Sequence, residues 1–165
     1  MIFLGLREIK TKVDNLADII NAENMDLPAY GKTRDVGPHI EVDSLGYHYV
    51  LAEKGDELSR ETTTEIQELL FLVFDSITSG MSFSYELKNR IQTQDSRRIA
   101  FHKKIELLDK LNPEWAKRAK KKIDEILCKY PYDDNAGLRA DYCGKLREKG
   151  ISENIIYRLA YEKYP

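Results

Sequence analysis

The chain has 165 residues, 42% of them hydrophobic and 33% charged. That balance excludes a disordered or fibrous chain, and the length suits one domain with its own core. A formal net charge of −2 sets up no global field toward nucleic acid or an anionic membrane, so a charged partner must be met through local patches.

Cys128 and Cys143 stand in no metal-binding or redox spacing. Each falls in a stretch read as helical, where a free thiol packs as a small apolar group. The opening run Met1-Ile2-Phe3-Leu4-Gly5-Leu6 is too short for a signal-peptide core. The longest apolar run, Leu69 to Phe74, stops at Asp75, far short of what a bilayer requires. The expected compartment is therefore the cytoplasm, with no membrane partner.

Leu6, Ile9, Val13, Leu16 and Ile20 recur at steps of three and four, which predicts an amphipathic helix with Lys10, Lys12, Asp14, Asn15 and Asp18 on its wet side. Leu27-Pro28 closes this segment, because proline cannot continue a helix. From Gly37 the period falls to two. Ile40 and Val42 alternate with His39, Glu41 and Asp43; beyond the turn Asp43-Ser44-Leu45-Gly46, Tyr47, Tyr49 and Leu51 alternate with His48, Val50 and Ala52. Two such runs around a glycine-containing turn predict a hairpin. Lys54-Gly55-Asp56 makes a second turn and Glu57 to Thr62 a candidate third strand, leaving one sheet face in need of cover.

Thr62-Thr63-Thr64-Glu65 carries N-cap chemistry for a long helix whose apolar face runs through Ile66, Leu69, Leu70, Val73, Phe74, Ile77 and Met81. Gly80 and the surrounding serines are expected to kink or interrupt it. Helical character resumes from Tyr85 to Arg90, and Gln92 to Gln94 reads as a loop. Asp95 caps the next helix, and Asn112-Pro113 closes that one and opens another. Trp115, Ala119, Ile123, Ile126, Leu127 and Tyr130 line the new helix. Asp133-Asp134-Asn135 opens a further helix ending at Gly150, and Ser152-Glu153 begins the last. The expected fold is α+β: a small antiparallel β-meander of two to three strands packed on about five to six helices, as one domain over residues 1–165.

Catalytic signatures are missing. There is no nucleophile elbow, phosphate-binding loop, dinucleotide fingerprint or zinc-protease helix, so no catalytic residue, metal ligand or cofactor is assigned. His39 and His48 approach each other on the hairpin beside Glu41. They read as polar residues of an exposed sheet face; a small hydrolase or metal enzyme built there is an alternative, and its metal form needs a third ligand from a neighbouring element. The run Lys117-Arg118-Ala119-Lys120-Lys121-Lys122 offers a second alternative, a nucleic-acid-binding regulator gripping phosphates. Asp124 and Glu125 follow at once and no stacking aromatic accompanies the run, so a solvated helix face is preferred and no nucleic-acid partner is expected.

Glu86 and Arg90 stand at the i,i+4 spacing of a helical pair. Arg97 and Arg98 fall in the first turn of a helix, where positive charge is unfavourable, unless Asp95, Glu86 or an anionic partner offsets it. These five residues read as a structural polar network that fixes a helix corner.

The same residues carry a resemblance. Tyr47-His48-Tyr49-Val50 followed by Glu53-Lys54-Gly55-Asp56-Glu57-Leu58, the pair Thr62-Thr63, Glu68-Leu69-Leu70-Phe71, Tyr85 to Arg90, Gln94-Asp95-x-Arg97-Arg98-x-x-Phe101 and Leu111-Asn112-Pro113-Glu114-Trp115 together resemble the bacterial immunity protein family sixty-three, over roughly residues 45 to 130. Lys54 stands where the pattern carries arginine. The resemblance implies a protein encoded beside a polymorphic toxin, which protects its producer by binding the toxin's C-terminal domain stoichiometrically. It does not mark the contact face. Ten tyrosines supply anchors of the kind tight interfaces use, and Tyr130, Tyr132, Asp133, Asp134 and Arg139 form a candidate partner-binding patch. Tyr157, Tyr161 and Tyr164 form another.

Overall fold

A computed structural model describes residues 3–33 and 37–165; of the opening apolar run, Met1 and Ile2 lie outside the described residues. The elements follow as α1 (Leu6–Ile20), a 3-10 turn (Asn24–Asp26), β1 (Ala29–Tyr30), β2 (Gly37–Asp43), β3 (Gly46–Glu53), β4 (Asp56–Thr63), α2 (Ile66–Lys88), α3 (Ser96–Leu111), α4 (Pro113–Lys129), α5 (Ala136–Glu148) and α6 (Glu153–Lys163). The class is α+β as read, with a sheet larger than expected. Among the described residues four strands stand in the order β1-β2-β3-β4, and the unforeseen one, β1, pairs parallel to β2 with Ala29 opposite His39 and Tyr30 opposite Ile40. Two residues are too few to display a period, so alternation could not reveal it.

Helix α1 also ends earlier than the proline implied. Asn21 adopts φ 55 and ψ 43, and its N–H turns back to the carbonyls of Ala17 and Asp18, an αL stop that asparagine tolerates.

Packing divides the chain into two compact units, one running up to Met81 and including Lys104–Ala119, the other made of Ser82–Lys103 and Lys120–Pro165. In the first, the antiparallel register sets Ile40 opposite Tyr49 and Glu41 opposite His48. Strand geometry then sends Ile40, Tyr47 and Tyr49 to one face and His39, Glu41 and His48 to the other. The apolar face joins Ile9, Val13, Ala17 and Ile20 of α1 and Leu69, Phe71, Val73, Phe74 and Ile77 of α2 in one buried cluster. Trp115 completes it, stacked on Phe74 (centroids 6.1 Å apart, 18° between planes) and edge-on to Phe71 at 6.2 Å. Each fully buried side chain of this size contributes about 2 kcal/mol relative to exposure.

The expected break in α2 does not occur. The helix runs 23 residues through Gly80, because Thr78 and Ser79 donate their hydroxyls to the carbonyls of Phe74 (2.6 Å) and Asp75 (2.7 Å) and so satisfy themselves within the helix. In the second unit, α5 and α6 pack through Cys143, Leu146, Ile156 and Ala160, flanked by Tyr142, Ile151 and Leu159. The inward stripe of α4 holds at Ala119 and Ile123 but not beyond: Ile126 and Tyr130 are exposed.

Candidate functional site

The corner predicted to carry a polar network lies in the second unit. Asp95 caps α3, accepting the N–H of Arg97 at 2.9 Å, and the same carboxylate takes the Arg97 guanidinium at 2.6 Å and the N–H of Asp133 at 2.8 Å. Arg97 reaches on to the carbonyls of Tyr130 (2.9 Å) and Pro131 (2.8 Å). Asp134 accepts the N–H of Asp95 at 2.9 Å and both arms of Arg98 at 2.8 and 3.0 Å. Two arginines at a helix N-terminus are thereby each matched by a carboxylate, which removes the dipole conflict read from the sequence. Burial pushes the Asp95 carboxyl up, but the Arg97 guanidinium and the two backbone N–H groups outweigh it and hold the group at about 2.

Glu86 and Arg90 form a pair of their own, two bonds of 2.8 Å with the carboxylate buried. Of the five residues read as one network, Asp95, Arg97 and Arg98 therefore meet through Asp133 and Asp134, while Glu86 and Arg90 stand as a separate pair.

The candidate partner-binding residues divide differently. Tyr132 lies under Arg98, 4.2 Å from guanidinium carbon to ring centre, and beside Phe101 at 6.5 Å. Asp133 pairs with Arg139, which also donates to the carbonyl of Tyr164 at 2.7 Å and sits over the Tyr161 ring at 4.4 Å. Tyr130 projects, 67% exposed, and Asp134 is exposed as well but is tied to Arg98. Asp133, Arg139, Ala140 and Tyr161 also line a groove of about 350 Å³ between α5 and α6, with Cys143 and Ala160 buried beneath it. The two tyrosine patches separated in the sequence are thus joined through Arg139, and Tyr157 and Tyr161, at 55% and 59% exposed, stand at the groove's edge. Sequence reasoning missed the groove, whose small floor residues announce nothing by themselves.

The hairpin histidines are not on an exposed face. His39 and His48 are 2% and 3% exposed, a correction to the reading of a solvated surface. His39 meets Glu41 through Nε2 at 3.1 Å, Arg60 bridges Glu41 (3.0 Å) and Glu57 (2.7 Å), and His48 has Nδ1 at 2.9 Å from the Thr62 hydroxyl and Nε2 at 3.0 Å from Asp43. Among the described residues no three His, Cys, Asp or Glu side chains gather as metal ligands. In the basic run, Lys117 pairs with Glu114, Arg118 with Glu68 and Lys120 with Asp124.

A family model described as immunity protein 63 matches residues 43–125, slightly more than half of the chain. The chain belongs to the immunity protein 63 family. No match is found among curated proteins or solved structures. The immunity protein 63 segment takes in β3, β4, α2, α3 and most of α4, with Glu86, Arg90, Asp95, Arg97 and Arg98 inside it. Tyr130, Tyr132, Asp133, Asp134 and Arg139 lie beyond it, as do α5 and α6. No helix among the described residues is long and apolar enough to cross a membrane.

Proposed function

We propose that the chain neutralises a cognate bacterial toxin in the cytoplasm by binding the toxin's C-terminal domain stoichiometrically, contributing surface rather than a reactive group. The observation that carries this reading is membership of the immunity protein 63 family. The proposed contact surface is the exposed aromatic edge of the second unit: Tyr130, Tyr157 and Tyr161, around the α5–α6 groove. Tyrosines flanked by arginine are the residue types on which interface energy concentrates. Asp133, Asp134 and Arg139 serve this surface as supports. Their charges are matched internally, and they fix the backbone and rings from which the tyrosines project. Rigid anchors of this kind lose little entropy on binding.

Co-expression tests the reading directly. The C-terminal domain of the toxin encoded beside this chain stops growth when produced alone, and growth returns when the chain is produced with it. Absence of rescue, with both proteins soluble, removes the neutralisation reading.

A further inference from the structure

The first unit carries a second concavity where three polar side chains, unlike those of the corner, are unspent. It is a groove of about 280 Å³ where α1, α2 and the start of α4 converge, with Leu16, Leu70 and Trp115 at its apolar base and Lys12, Asn15 and Gln67 around it. The three polar side chains are exposed, and none makes a hydrogen bond or ion pair with another described residue. Their neighbours on the same helices behave otherwise: Lys10 holds Asp14 at 2.7 Å and Arg118 holds Glu68 at 2.7 Å. Among the described residues that line the groove, Lys12 is the only charged one, so its ammonium has no carboxylate beside it there.

An apolar base with a few convergent polar groups is the usual composition of a recognition pocket. Here the groove supplies one cation and the two free carboxamides of Asn15 and Gln67, a set that donates to a carboxylate and pairs with peptide backbone; the third carboxamide, Asn112, already accepts the N–H of Glu114 at 2.9 Å. We propose that this groove is a docking point for the toxin domain, and that it receives a segment presenting one leucine- or phenylalanine-sized side chain with an aspartate or glutamate beside it. The apolar side chain covers Leu16, Leu70 and Trp115; the acid meets Lys12; Asn15 and Gln67 bond the flanking main chain. The inference rests on the toxin-binding reading and adds the chemistry of the partner at a site the aromatic edge does not include.

The test uses the full chain and the toxin domain in their co-purified complex. A photo-crosslinking phenylalanine analogue is placed at Asn15, and Lys12→Glu is made separately. The expected results are a crosslink to a toxin segment with an acidic residue next to a large apolar one, and a toxin affinity lowered about tenfold by Lys12→Glu. The thermal midpoint of Lys12→Glu stays at the wild-type value, because Lys12 has no partner among the described residues. A complex that forms normally, with no crosslink from Asn15 and unchanged affinity for Lys12→Glu, overturns the docking point and leaves the toxin reading standing. A crosslink to a basic segment overturns the proposed chemistry. If the wild-type chain forms no complex, the toxin reading and the docking point fall together.

Discussion

Asp95 shows how much one carboxylate can organise. It caps α3, offsets Arg97 and holds the N–H of Asp133, so the segment after α4 is tied to the start of α3. Its value of about 2 in the fold lies below the ~3.9 of an unfolded aspartate. The ionised form therefore stabilises the fold. That contribution is complete above the unfolded value and is lost as pH falls from roughly 4 toward 2. Replacing Asp95 by asparagine puts an amide donor against other donors, and we expect a loss of about 2 kcal/mol at neutral pH. The acid limb of the stability curve flattens in the variant; urea unfolding of both proteins at pH 7, 4 and 2 reads the difference. The sequence placed Asp95, Arg97 and Arg98 at a helix start and flagged their charge conflict, but it could not show that Asp133 and Asp134, nearly forty positions on, resolve it. His39 and His48 teach the converse: alternation assigned them to the right face, yet what buries them is tertiary.

At the scale of elements, periodicity served best in α1 and the β2–β3 hairpin, and less well in α2, which runs unbroken, and in α4, whose stripe is exposed at Ile126 and Tyr130. The five apolar positions of α1 and the alternating runs of β2 and β3 were legible because each repeats one spacing several times. Glycine was a poorer guide, since its effect depends on what surrounds it. Gly80 sits on an exposed part of α2 with nothing near the place a side chain would occupy. Gly80→Ala should raise stability by about 1 kcal/mol through helix propensity alone. Gly46 is the opposite case. Its φ is 141°, and an added Cβ would lie 2.4 Å from the backbone carbonyl oxygen of Thr63 on β4, which the strand pairing holds in place. Gly46→Ala should cost more than about 2 kcal/mol. Denaturant midpoints of the two variants, displaced in opposite directions from wild type, check both expectations.

For the whole molecule, the charge pattern matters more than any single run. The net charge is −2, and within the run 117–122 Lys117, Arg118 and Lys120 are already paired with Glu114, Glu68 and Asp124. Such cations release few counterions on meeting phosphate. Fluorescence anisotropy with a labelled duplex at low salt should give a Kd weaker than about 100 μM, beyond the weak end of the non-specific range, and little change as salt rises. Tight binding with a steep salt slope would restore the nucleic-acid reading. By itself the sequence determined the α+β class, the order of the long elements and the family motif, since these rest on spacing and residue type along the chain. Only the tertiary structure decided which charges cancel, which tyrosines project, and that Lys12, Asn15 and Gln67 ring a common groove. Those outcomes depend on distances between residues far apart in the chain, and a linear pattern does not encode such distances.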